Sequence, residues 1–509
     1  RQGGERKRRA EGCWRAMALR INVFIIVLTI TQILIIVAYS QLTFHDGYGE
    51  QQKLDEARQK LKDREDALRE PTPAPLESEY GQPDLPFMFD MNMYTYLGMC
   101  LTMTYLRKYA YTSLGMSFLM GCLAQEWCCL LLQWIPLGYC SFLKSNFEKV
   151  GCPYGSNPDL TQFENFQRAR ACTCDGLEDK IALNIADFIQ GQFGVVAVLV
   201  SYGALLGKVN PLQMLIIVIC NVAAYCGNKF LSIDYRGGVD NTGSLYTMHI
   251  FGAAFGLGCS VVVSGKRPSE NPDNAARYQS NNYAILGSLF MFVCYPSFNS
   301  YWAPASLRVY VATNTFAALM CGGMFAFIWS NLIYPEGPTV MHLQDGVLAA
   351  GVAASTPACM FIPPIFMMLV GAGGTLISAL SFRYLQPLID DQDTQGITSL
   401  HLLPGLWGAL VMEAVTILGI DTQTVTLNNR DMLGEIMPHF GEAWSSAATQ
   451  ALILAFALFV GAIAGALTGL LANLTGKVAL AGSYSDHVFW IVPDDFTHIG
   501  EEGADTKVM

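Results

Sequence analysis

The chain has 509 residues, of which 52% are hydrophobic and only 14% charged, where soluble domains carry roughly 25% charged residues. With a mean hydropathy of +0.31, this composition argues against a soluble globular protein and for a polytopic membrane protein. The net charge of -11 comes from acids gathered in a few loops; no basic face exists for nucleic acid, and the one basic cluster, Arg6-Lys7-Arg8-Arg9, adjoins an apolar run.

In chain order, a basic head (1–20) precedes the apolar run 21–40. That run is about 20 residues long, enough to cross a bilayer core, and has no clear small-residue cleavage site, so it reads as a retained signal-anchor helix. Residues 41–88 are polar and read as an outside loop. Leu54, Leu61 and Leu68 give this loop a solvated helix with one apolar edge, ended by Pro71, Pro73 and Pro75. A channel core is expected over 89–474. Its spans fall near 90–106, 112–135, 184–206, 211–231, 243–264, 280–297, 309–331, 342–359, 363–382, 400–419 and 448–472. With the anchor this makes about 12 transmembrane helices, followed by a tail at 475–509.

Arg107, Lys108, Lys208, Lys266, Arg267 and Arg383 fall in loops on the side of the basic N-terminus, which the positive-inside rule makes cytoplasmic. Both termini are then cytoplasmic, and a plasma membrane is the default. Most of the fifteen cysteines lie in apolar spans, where they act as small hydrophobes. Cys140, Cys152, Cys172 and Cys174 share one polar outside loop and could form one or two disulfides of undetermined pairing. No paired Cys or His motif suggests zinc, and no nucleotide loop or nucleophile motif suggests an enzyme or a cofactor.

Lone histidines at His249 and His342 sit inside apolar segments. Ionisable groups there are costly and are functional candidates by default. The alternative for each is a histidine that only bridges helices, and that is the reading for His401. Glu126, within the second span, reads as a buried structural acid. Glycine-rich stretches such as 461–469 read as close helix packing.

Six motifs in order resemble the Rh (Rhesus glycoprotein) branch of the ammonium transporter superfamily. They are Gly203-Ala-Leu-Leu-Gly-Lys-Val-Asn-Pro211, His249-Ile-Phe-Gly-Ala-Ala-Phe-Gly-Leu257, Tyr295-Pro-Ser-Phe-Asn-Ser300, His342-Leu-Gln-Asp-Gly-Val-Leu-Ala-Ala-Gly-Val-Ala353, Gly396-Ile-Thr-Ser-Leu-His-Leu-Leu-Pro-Gly-Leu406 and Ser485-Asp-His-Val-Phe-Trp-Ile-Val-Pro493. The resemblance covers about 91–493. It implies an all-α channel fold assembled as a homotrimer in the bilayer, each subunit with its own narrow pore for ammonia or ammonium, and methylamine as a further substrate. It also implies that His249 and His342 face each other as a twin-histidine pair, that Phe298 is one of two phenylalanines at the outer mouth, and that Asn299 lines the same pore. The second phenylalanine aligns without gaps to Phe193; Phe188 fits the local motif only with an insertion.

The chemistry suits these residues. A bare cation in a dry pore is heavily penalised, whereas neutral ammonia needs only hydrogen-bond partners, which imidazole offers as one donor and one acceptor. Two alternatives stay open: a carbon dioxide or dual gas pore, and a non-conducting scaffold or ammonium sensor.

Three departures stand out. The family's aspartate eight residues before the first histidine is Asn241 here, with Asp240 nine residues away. Eight and nine helical steps leave about 80° and 180° between side chains, so either Asp240 keeps the role through a local distortion or the Asn241 amide replaces the buried acid. Asp345 stands where Rh proteins carry asparagine, on one helix face with His342. Asn228-Lys229 replaces the family's Asn-Glu.

Overall fold

A computed structural model describes residues 84–147 and 185–493, with breaks at 237, 241, 265–267, 304–306, 336, 361, 419–442 and 477–482, together with Ile26, Thr29, Ile30 and Ile33. The basic head, most of the anchor run, the leucine-edged segment, Cys152, Cys172, Cys174, the Cys140 side chain, Asn241 and the chain beyond Pro493 lie outside the described residues.

The described residues are helical, with no strand beyond an isolated bridge between Leu106 and Ala276. The principal helices are α1 (Asp84–Asn92), α2 (Ala110–Phe147), α3 (Ile185–Leu205), α4 (Pro211–Lys229), α5 (Phe251–Val263), α6 (Tyr278–Ser300), α7 (Arg308–Ile333), α8 (Val340–Ala354), α9 (Pro364–Tyr384), α10 (Leu403–Leu418) and α11 (Ala443–Asn473). Eight helical segments among the described residues are long and apolar enough to cross a membrane, and α8 is a shorter apolar helix. Each of the segments expected from 90–106 onward coincides with a helical stretch.

Local chemistry sets the helix starts. Asn210 accepts from the Gln213 N–H while the Gln213 side chain accepts from the Asn210 N–H, a reciprocal cap in front of Pro211. Thr339 caps α8 by accepting from the His342 N–H.

The apolar stretch of α3 is 89% buried and that of α11 only 28%, so α3 runs through the centre and α11 along the outside. On α11, Gly461, Gly465 and Gly469 recur every fourth residue and lie against the Phe251, Phe255 and Cys259 carbonyls of α5. A Cβ at Gly465 would stand 2.1 Å from the Phe255 oxygen, and backbone cannot yield as a side chain can. Gly465→Leu is therefore expected to cost about 1–3 kcal/mol, read as a fall in melting temperature in detergent; an unchanged melting temperature would remove this packing argument.

The segment 483–493 folds back onto the start of α2. The Tyr484 N–H donates to the Gly207 carbonyl, and the Asp486 N–H to that of Lys108. The Asp486 carboxylate accepts from the Tyr111 and Thr112 N–H groups and from the Thr112 hydroxyl, capping α2 from across the sequence where the helix dipole favours an anion. Trp490 Nε1 donates to the same hydroxyl. Gly207 has φ +76°, and any Cβ there would enter the Tyr484 ring.

Candidate functional site

Two short units of the same design meet inside the bundle. The first begins at Asp240. The segment before it is held by Gln450, whose amide accepts from the Val239 N–H and donates to the Val239 carbonyl. One Asp240 oxygen accepts from the Tyr246 N–H and the Thr356 hydroxyl, the other from the Thr247 N–H and hydroxyl. Gly243 (φ 68°) and Ser244 (φ 49°) are left-handed, which bends the chain back over its own carboxylate. A widened helical turn, Leu245–Ile250, follows and leads into α5. It carries His249. This is the distortion that lets Asp240, nine residues before His249, act as the cap. Burial pushes the Asp240 carboxyl up to about 6, against the hydrogen bonds from Thr247, Thr356 and Tyr246.

The second unit begins at Asp393. Its carboxylate accepts from the Gly396, Ile397 and Thr398 N–H groups. Gly396 is left-handed at φ +83°. A widened turn, Thr398–Leu402, follows and leads into α10. It carries His401.

The two turns bring His249 and His401 together. Their Nδ1 atoms are 3.1 Å apart, and the rings stack with centroids 5.1 Å apart and planes 13° from parallel. Both are buried. One Nδ1 donates and the other accepts, so the rings hold opposite tautomers, and His249 Nε2 is left buried without a partner. Of the pair, then, one Nε2 is a bare acceptor and the other an N–H donor.

This corrects the expected pairing of His249 with His342. His342 lies in the first turn of α8, stacked on Tyr334 at a 3.9 Å centroid distance and 5.8 Å from the Phe382 ring. The other end of α8, at Ser355 and Thr356, reaches the Asp240 unit, so His342 stands about 20 Å from it along the helix axis. Asp345 is on the same helix as His342 and is buried, with one oxygen unpartnered. The partner of His249 was signalled in the sequence: Asp393 precedes His401 by eight residues, the offset sought before His249.

Phe193 and Phe298 are buried and in contact, centroids 4.7 Å apart, whereas Phe188 is exposed. Sequence reading missed Tyr94, whose ring stacks on Phe298 at 4.3 Å. Asn299, next to Phe298, donates to Thr315 and accepts from Ser355, beside the Asp240 unit. Asn241 lies outside the described residues. Glu126, expected to be buried, is exposed on α2.

At the Asp393 end, Lys208 is buried and donates to the Ser260 hydroxyl at 2.9 Å and the Asp391 carbonyl at 3.2 Å. Burial pushes its ammonium down to about 7, against the pull of Asp393, Asp390 and Asp391. Between that value and the ordinary 10.5 the folded chain holds fewer protons at Lys208 than the unfolded chain, so this group makes stability rise with pH across the window. Lys208→Met is expected to flatten that rise in melting temperatures between pH 7 and pH 9; an identical slope would refute it.

Residues 95–478 match the Ammonium Transporter Family. Ammonium transporter Rh type B of Danio rerio is 30% identical over 462 residues, spanning 86% of this chain and 88% of that protein. Rhesus-like glycoprotein A of Dictyostelium discoideum is 28% identical over 488 residues, spanning 93% and 82%. Among solved structures, the Rh50 protein of Nitrosomonas europaea superposes with a TM-score of 0.61 at 20% identity, covering 82% of this chain and 94% of that one; at that identity the likeness is one of fold.

Proposed function

Because this chain belongs to the ammonium transporter family, with Rh-type proteins among its relatives, we propose that it carries ammonia through a membrane along the line from Phe298 to the His249–His401 pair. The protein is a membrane transporter for ammonium or ammonia. Ammonium loses its proton to bulk water near the Phe193–Phe298 pair, whose ring faces attract a cation by about 0.5–2 kcal/mol, and the N–H electron pair stays on the ammonia nitrogen. Neutral ammonia then crosses, hydrogen-bonding to one acceptor and one donor nitrogen of the histidine pair. Methylamine follows the same route. The observation that carries this reading is the buried Nδ1–Nδ1 contact at 3.1 Å.

The same reading makes the bundle a 12-span subunit of a homotrimer in the plasma membrane, with residues 89–474 as the channel core. The charge bias of Arg107, Lys108, Lys208 and Arg383 supports a cytoplasmic side for the end with Asp393 and the docked tail. Phe298 and Asp240 then face outward.

The test is to record internal pH and current together in proteoliposomes given an inward ammonium gradient. Fast internal alkalinisation without current is the expected result. A matching current would mean that charge crosses with the substrate. No flux above empty vesicles, from correctly folded protein, would leave a scaffold or sensor.

A further inference from the structure

Phe298 is held by other rings on both of its faces. Tyr94 stacks on it with centroids 4.3 Å apart and planes 23° from parallel. Phe193 lies at 4.7 Å and 34°. Two near-parallel rings this close on one face would touch each other, and among the described residues Tyr94 and Phe193 make no ring contact, so they cover opposite faces of Phe298. Tyr295 meets Tyr94 and Phe298 at steep angles, 82° and 75°, with centroids 5.1 and 6.0 Å away. All four rings are buried.

Tyr94 has no room to back away. It rises from a widened helical turn, Met93–Met99, that follows α1. One turn before it, Asp90 accepts from the hydroxyl of Ser297, the chain neighbour of Phe298, at 2.6 Å. One turn after it, Gly98 lies against Met291 of α6. A Cβ at Gly287, also on α6, would stand 2.6 Å from the Thr102 nitrogen, so α6 and this stretch run backbone against backbone. Tyr295 is backed in turn by α8, where a Cβ at Gly351 would stand 2.5 Å from its ring.

These contacts decide how Phe298 moves. The terminal torsion of a phenylalanine is broad, so neighbouring atoms rather than the bond itself fix the ring. A substrate that passes Phe298 must turn the ring aside, and interiors packed to crystal density leave little space for that. The gap it opens is therefore set by the ring on its other face.

We propose that Tyr94 is a positioning residue for selectivity: by covering one face of Phe298 it limits how far that ring turns, and so sets the discrimination between ammonia and a methylated amine. The inference rests on the transport reading of the Phe193–Phe298 pair. Tyr94 acts through Phe298 and not on the substrate. Its hydroxyl has no hydrogen-bond partner, so the flat ring carries the contact. With a flexible side chain in its place, Phe298 turns into the vacated space. The added methyl group then passes more easily, while ammonia, which needs the smaller gap, gains little.

The experiment is initial internal alkalinisation in proteoliposomes given ammonia or methylamine, with empty-vesicle rates subtracted, for wild type, Tyr94→Phe, Tyr94→Leu and Tyr94→Met. The readout is the ratio of methylamine to ammonia flux within one preparation. A loss of folded protein scales both fluxes and leaves that ratio unmoved. In Tyr94→Leu and Tyr94→Met the ratio is expected to rise about tenfold, the low end of what one carbon is worth in a fitted apolar site. Tyr94→Phe keeps the ring and should keep the wild-type ratio. A wild-type ratio in whichever of the leucine and methionine variants folds would overturn the inference, and so would a raised ratio in Tyr94→Phe. No flux of either amine through folded wild-type protein would sink the transport reading and this inference with it; wild-type flux with an unchanged variant ratio sinks this inference alone.

Discussion

Replacing His401 by alanine is expected to cut ammonia flux tenfold or more, and His249→Ala to do the same, with a smaller loss for His342→Ala. The reason is the shared proton between the two Nδ1 atoms, 3.1 Å apart. Remove either ring and the other keeps a buried, unpaired nitrogen, at a cost of about 1–3 kcal/mol. The tautomer of the survivor is then no longer fixed, so the ordered donor and acceptor offered to ammonia are lost together. Because each single change already breaks the unit, the double alanine variant should lose less than the sum of the two, a coupling that a double-mutant cycle reads directly. The measurement is initial internal alkalinisation in proteoliposomes. Equal loss at His342 and no loss at His401 would restore the pairing first expected from the sequence and sink the one argued from geometry.

Asp240→Ala is expected to have the largest effect on the folded state itself. The two carboxylate oxygens hold two backbone N–H groups of the widened turn and the hydroxyls of Thr247 and Thr356. Alanine leaves these donors buried without an acceptor, a loss of about 3–4 kcal/mol. It also releases the left-handed Ser244 (φ 49°), a strained residue that persists only while the carboxylate holds the loop. His249 is carried by that turn, so flux should fall with stability. Asp240→Asn keeps acceptor oxygen and shape but loses the charge and one acceptor site, and should fall between wild type and alanine. Thermal unfolding in detergent beside vesicle flux gives both readouts. A fully stable Asp240→Ala protein would show that the turn is set by packing alone.

Much of this was open to sequence reading because membrane helices obey a strong rule. Every backbone group must be satisfied within the helix, so apolar runs of about 20 residues map onto helices almost one for one. Phe193 was reached by counting back from Gly203, and it does touch Phe298. What failed was the choice among histidines. His342 and His401 both lie in apolar segments and in family-like motifs. Nothing in one dimension says that the first turn of α8 stands about 20 Å from the Asp240 end of the bundle. The usable cue was the acid before each ring, Asp240 before His249 and Asp393 before His401, because an acid capping a widened turn aims the following histidine. Tyr94 and Gln450 were out of reach for a different reason. Their roles come from contacts more than 200 residues away in the chain, which no local pattern encodes.

The docked segment at 483–493 has a consequence for how the protein is made. Tyr111 and Asp486 are 375 residues apart. At ribosomal rates of about 5–20 residues per second, helix α2 waits roughly 20–75 s for the carboxylate that caps it. This end of the bundle therefore closes only after Asp486 has been made. A chain truncated before Ser483 would leave the ribosome with α2 uncapped and Gly207 uncovered, a defect that cellular quality control can sense even though α1 to α11 have all been made.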